Sequence, residues 1–186
     1  MRLNRVMILS VLLTLTSLGP ETTSVQAATA AQLQESARAG LNQLYSVNDN
    51  AKLVGDRARA VLVFPKIVKA GFVAGAQRGD GVLFIRGKVA GYYNTTAASY
   101  GLQAGVQQFG YALFFMDDQS LSYLRKSGGW EIGSGPSIVV VDAGVAKSLT
   151  TTTLKEGVYA FFFSQKGLMA GLGFQGTKIT RYNPSK

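Results

Sequence analysis

Apolar residues recur at Leu33, Ala37, Leu41 and Leu44, at spacings of four, four and three with polar residues between them. This is the stripe of one amphipathic helix. Its polar face carries only Arg38 as a cation, so packing against a core is a better use for the stripe than lying on a membrane. A second, shorter helix is predicted from Asn50 to Arg59, capped by Asp49 or Asn50. From Val61 the period changes to short β-rich runs separated by glycine. These predict strands near 61–64, 70–77, 82–87, 99–107, 110–116, 137–142, 158–164, 167–175 and 178–182. One further helical stretch runs from Asp118 to Lys126. Arg78-Gly79-Asp80-Gly81 reads as a tight hairpin turn, which accounts for its adhesion-like tripeptide without invoking adhesion. The expected fold is therefore α+β: a strongly curved antiparallel β-sheet, or a barrel-like sandwich, with N-terminal helices packed against it.

A five-residue pattern, Gly-x-x-Ala-Gly, occurs at 71–75, 101–105 and 167–171. Within a strand, residues four apart share a face, so each copy is expected to present two glycines around one side chain. Such a face permits close backbone approach or sharp coiling. Lys69, Gln77, Gln103 and Lys166 interrupt the apolar length that a membrane-helix reading of the same spacing needs.

The first 27 residues stand apart. Arg2 and Arg5 precede the apolar run Val6 to Leu18, and Val25-Gln26-Ala27 offers small residues at a cleavage spacing. The segment reads as a secretory signal peptide, with residues 28–186 as one domain. The expected location is exported: periplasmic or secreted, and peripheral where it meets a membrane. Cysteine is 0, so no disulfide staples the fold and no lipidated cysteine anchors a lipoprotein.

The formal net charge is +9, and removing Arg2, Arg5 and Glu21 with the leader leaves +8. This balance favours anionic partners. Nucleic acid is not expected for an exported protein without a zinc-finger or RNA-binding pattern. Anionic phospholipid at a membrane surface fits better, each basic residue near such a surface contributing about 1 kcal/mol. The same charge would also serve plain solubility.

Histidine is 0 as well as cysteine, which removes Ser-His-Asp and Cys-His catalysis together with histidine- and thiolate-ligated metals. Asp117-Asp118 is the one adjacent carboxylate pair, and its place before a helix fits capping better than acid–base work. Gly133-Ser134-Gly135-Pro136-Ser137 lacks the Gly-Lys-Ser/Thr ending of a phosphate loop and precedes a strand. An enzyme is not expected, nor is any cofactor or metal.

Three stretches together resemble one known family. The run Val61 to Gly75, VLVFPKIVKAGFVAG, is similar to the opening signature of the SYLF domain, also called the Ysc84-like or Las17-binding actin-regulator domain. Ser99 to Gln107 and Ser164 to Gly171 resemble its central and C-terminal signatures. The resemblance implies a lipid-binding domain, with phosphoinositides as ligands of eukaryotic members. Actin is not an expected partner for an exported bacterial member, and the resemblance names no other protein partner.

On this reading Pro65 ends the first strand, and Lys66 and Lys69 occupy a surface corner before Phe72. Lys166 holds the equivalent place before the third Gly-x-x-Ala-Gly. The expected lipid-binding set is Lys66, Lys69 and Lys166 on headgroup phosphates. Arg86, Lys88, Arg125 and Lys126 add diffuse attraction, and Phe72 or Trp130 inserts shallowly. A solvated bend would explain the two lysines of the first corner equally simply. The competing function is a secreted structural or adhesive module that binds a protein or an acidic polymer through the same charge.

Overall fold

The computed structural model describes residues 28–71, 74–100, 105–126, 128–141, 147, 149–150, 153–154, 157–166, 174 and 176–184. The segment read as a signal peptide, Phe72, and most of the strand expected at 167–175 lie outside these residues.

Helix α1 spans Ala30–Val47 and opens on a capping box, with Thr29 accepting from the Gln32 amide and Gln32 reaching back to Thr29. Its buried stripe is Leu33, Ala37, Gly40 and Leu44. Helix α2, Asp49–Gly55, is shorter than the pattern suggests, and its cap is Asn48, one residue before the expected pair. Helix α3, Asp118–Leu124, follows its Asp117 cap.

Among the described residues eight strands form one sheet: β1 Ala60–Gly71, β2 Ala74–Ile85, β3 Lys88–Tyr100, β4 Gly105–Phe115, β5 Trp130–Glu131, β6 Ile138–Val140, β7 Val158–Lys166 and β8 Thr177–Tyr182. Their order is β5-β8-β3-β2-β1-β4-β7-β6. The sheet curls into a half-barrel and is α+β with its N-terminal helices against it, as expected. It is mixed, since β6 runs parallel to β7 while the other pairings are antiparallel. Among the described residues it is open, edged by β5 with 2 residues and β6 with 3.

The central strand β1 is buried on both faces. Leu62, Phe64 and Ile67 join Leu83, Tyr111, Leu113, Phe115 and Trp130, with Leu121 and Leu124 of α3 above them. Val61 and Val63 join Val82, Phe114 and Phe161 under Leu33, Ala37 and Leu44 of α1. These are called the α3 face and the α1 face below. Gly40 and Gly110 both lie against the Phe163 ring, which lets α1 approach the sheet closely.

Pro65 does not end β1, contrary to expectation. The register shifts between Val63 and Lys66 on the β2 side and between Phe64 and Ile67 on the β4 side, so Pro65 sits in a bulge of a continuous strand. A bulge leaves unpaired the position where proline lacks its N–H, and the extra residue sharpens the local twist.

Arg78 to Gly81 is likewise no hairpin. It lies inside β2, paired to β1 on one side and β3 on the other. Glycine serves there as a space-maker, because a Cβ on Gly81 would meet Val63 O at 2.7 Å and Phe64 Cδ1 at 2.6 Å. The actual turn is Arg86-Gly87, with φ of 48° and 73°, a two-residue turn that suits the twist of a hairpin. It leads into β3, of which only the end was expected as a strand.

The first Gly-x-x-Ala-Gly copy does not lie within a single strand, while most of the second and all of the third lie outside the described residues. The first straddles the β1–β2 hairpin, where Gly71 pairs with Gly75, and Gly71 also pairs with Gly105 at the end of the second copy. The third begins directly after Lys166, the last residue of β7. Gly71, Gly75 and Gly105 thus stand together at one end of the sheet.

Gly81→Ala is expected to destabilise the fold by about 1–3 kcal/mol through overpacking against the β1 backbone, read as a lowered Tm or denaturation midpoint.

Candidate functional site

Residues directly opposite in adjacent strands share a face, so the register specifies which cations stand together. Lys166 opposes Gln108, Gln108 opposes Val68, Val68 opposes Arg78, Arg78 opposes Thr96, and Thr96 opposes Lys178. This row crosses six strands, about 24 Å at the usual strand spacing, on the α1 face. Lys166, Arg78, Thr96 and Lys178 are exposed, and Val68 and Gln108 are half-buried.

The neighbouring row toward α1 is Lys66, Asp80, Asn94 and Thr180. Asn94 donates to the Asp80 carboxylate at 2.8 Å, so the acid in this row is tied to a neutral partner. On the other side, toward the glycine-rich end, stand Val106, Ala70, Ala76 and Ala98, all exposed, Val106 at 61%. A cationic band thus borders an apolar strip at one end of the sheet. Between the band and α1 lies a groove of ≈ 710 Å³, lined by Leu33, Gly40, Pro65, Lys66, Arg78 and Phe163 among others. Ser164, at φ 51°, donates to Gln43 Oε1 at 3.0 Å and fastens β7 to α1 beside it.

The expected lysine corner is only partly assembled. Lys66 and Lys166 do face the same side, on adjacent rows. Lys69 opposes Gln77 and Gln107 in the alternate register and points to the α3 face, half-buried beside these two buried glutamines. Pro65 does not end the strand, so no corner forms there, and two lysines three residues apart in a continuous strand alternate faces.

The other expected residues are dispersed. Arg86 and Lys88 are exposed at the β2–β3 turn, at the opposite end of β2 from Gly75. Arg125 and Lys126 follow α3, which packs on the α3 face, and the Lys126 ammonium sits 3.5 Å from the centre of the Tyr123 ring. Trp130 does not insert anywhere. It is 1% exposed, and its ring lies 5.9 Å from that of Phe115 in the core. Arg78 and Lys178 belong to the band and were missed. Arg78 was assigned to a turn, and Lys178 becomes its neighbour only through β8 pairing with β3.

The Asp117-Asp118 pair is structural in its first member. Asp117 accepts from the Ser120 amide at 2.6 Å, the Ser120 hydroxyl at 2.9 Å and the Gly157 amide at 2.6 Å. Burial pulls its pKa upward, but these donors outweigh burial and hold the carboxyl below its ordinary value. Among the described residues no group of three or more acidic, histidine or cysteine side chains is placed to hold a metal. No described helix is long and apolar enough to cross a membrane.

The architecture defines an α+β half-barrel whose helix-bearing face carries a cationic band with an apolar margin. Residues 96–185 match the family model described as Ysc84, Las17-binding protein actin regulator. Over that stretch the chain is similar to the Ysc84, or SYLF, family, the family its motifs resemble. The match runs from the second half of β3 through β8 and takes in Lys166 and Lys178, while Lys66 and Arg78 lie before it. No curated protein matches the chain.

Asp117→Ala is expected to cost about 1–2 kcal/mol at pH 7 by removing the α3 cap. Because the folded pKa is depressed, this stability is present above the unfolded value of 3.8 and disappears as pH falls through the folded one. The stability difference between the two proteins at pH 7 should therefore shrink as denaturation curves are taken progressively below pH 3.8.

Proposed function

We propose that this domain is a non-catalytic module of the cell envelope that binds anionic phospholipid at a membrane surface. The observation that carries the reading is the juxtaposition of the Lys166–Arg78–Lys178 band with the exposed strip Val106, Ala70, Ala76 and Ala98. Headgroup phosphates meet the cations, and the small side chains of the strip rest against the upper acyl region. The Ysc84 match supports the class of protein, and the sequence resemblance supports lipid as its ligand. Lys66 adds to the band from the adjacent row. Export is part of the proposal and rests on the first 27 residues. Arg86, Lys88, Arg125 and Lys126 contribute at most long-range attraction, since they stand elsewhere on the molecule.

Co-sedimentation of the chain from Ala28 onward with vesicles of graded anionic content tests this. Binding is expected to rise with the anionic fraction. The triple variant Arg78→Ala, Lys166→Ala, Lys178→Ala should bind roughly 100-fold more weakly, at about 1 kcal/mol for each cation removed. Val106→Asp should weaken the binding that survives high salt. Equal binding of an acidic polysaccharide and of vesicles, insensitive to Val106→Asp, would instead favour the adhesive module.

A further inference from the structure

A second cavity lies on the other flank of α1, at the end of the sheet away from the glycines. Its volume is ≈ 270 Å³. Three guanidinium-bearing residues line it from three separate segments: Arg38 of α1, Arg59 just before β1, and Arg86 of the β2–β3 turn. Asn42 and Tyr45 are also in its wall, and Leu41, Val61 and Phe84 supply apolar surface. No carboxylate is among the lining residues. We propose that this pocket binds the phosphate group of a small phosphate monoester with a compact apolar body.

Charge and geometry both point this way. Three like charges drawn around one small pocket repel one another unless an anion joins them, and guanidinium forks match phosphate oxygens two at a time. Arg38 is already oriented: its guanidinium lies 4.9 Å from the centre of the Phe84 ring and donates from Nη2 to Gly87 O at 3.2 Å. Arg86 is the more telling residue. It holds φ at 48°, a turn position that asparagine or glycine occupies with less strain, yet the chain places arginine there. Strain kept at a pocket rim is expected where the side chain has a use. The Tyr45 hydroxyl, pushed up to about 12 by burial and then by Asp56, stays protonated at neutral pH and adds a donor. A phosphate monoester supplies two negative charges and enough acceptors for three arginines, which a carboxylate does not. The apolar wall of Val61, Leu41 and Phe84 suits a short hydrocarbon or aromatic body.

This site is separate from the cationic band. The band borders the groove on the Leu33–Gly40 flank of α1, and the pocket uses Arg38, Leu41, Asn42 and Tyr45 on the other.

Calorimetric titration of the full chain with phenyl phosphate, inorganic phosphate and benzoate tests the assignment. Phenyl phosphate should bind saturably and more tightly than either other probe. Arg86→Asn suits the turn and should leave Tm unchanged or raised while weakening phenyl phosphate roughly 10-fold, the loss of a hydrogen bond to a charged group. Arg59→Gln should do likewise, and the triple variant of the band should leave this affinity unchanged. Vesicles containing phosphatidic acid separate two sources of the phosphate. Displacement of phenyl phosphate by them, lost in Arg86→Asn, assigns the pocket to a lipid headgroup, whereas no displacement assigns it to a free ester. Absence of saturable phosphate binding, benzoate binding as tightly as phenyl phosphate, or unchanged affinity in Arg86→Asn would overturn the proposal. None of these outcomes depends on whether the band binds membranes.

Discussion

The two-sided burial of β1 is the constraint on which the structure rests. A strand at the middle of an open sheet must satisfy two cores at once, and β1 does so by sending Leu62, Phe64 and Ile67 one way and Val61 and Val63 the other. Strict alternation would place Ile67 on the wrong side of Phe64, three residues earlier. The bulge at Pro65 inserts the extra residue that restores Ile67 to the α3 face. It also sets the register of everything beyond it, so Val68 lines up with Arg78 and Gln108, and through them with Lys178 and Lys166. The cationic band is thus a product of one irregular residue in the core.

Helix α1 then divides the surface it covers. Gly40 gives up helical propensity, about 1 kcal/mol relative to alanine, so that the helix can settle onto Phe163. Its two flanks differ in chemistry. Lysines and one arginine stand as spread point charges on an open face beside small apolar side chains, an arrangement tolerant of many headgroups. Arginines line a half-open pocket on the other flank, where planar forks and an apolar wall discriminate by shape. A protein with both can answer to a surface and to a molecule independently.

The amphipathic helices, the α3 cap and the general α+β architecture were legible because each is written in local periodicity or in a cap residue adjacent to its helix. Long strands were harder to see. β3 contains Gly91, Asn94 and three alanines, and it persists because β2 and β8 pair with it on both sides, which no local pattern records. Gly79 and Gly81 looked like turn residues, but their lack of a Cβ accommodates Ile67 and Phe64 of the neighbouring strand. The candidate site failed in the same way. Lys66 and Lys166 are recognisable from their flanking motifs, whereas Arg78 and Lys178 flank one strand, β3, although they lie far apart in the chain. Lys69 points away from Lys66 because β1 runs on past Pro65, and residues three apart in a continuous strand alternate faces.

The open sheet has one further consequence. Among the described residues its edges are β5 and β6, strands of 2 and 3 residues, and the stretches of β8 and β7 that they leave uncovered are short, so each edge offers an incoming chain few backbone groups to pair with. Longer strands with many apolar residues, such as β1 and β4, are enclosed between neighbours. Copies of this protein gathered at high density could therefore stand side by side without their sheets joining into fibrils, so crowding need not end in aggregation.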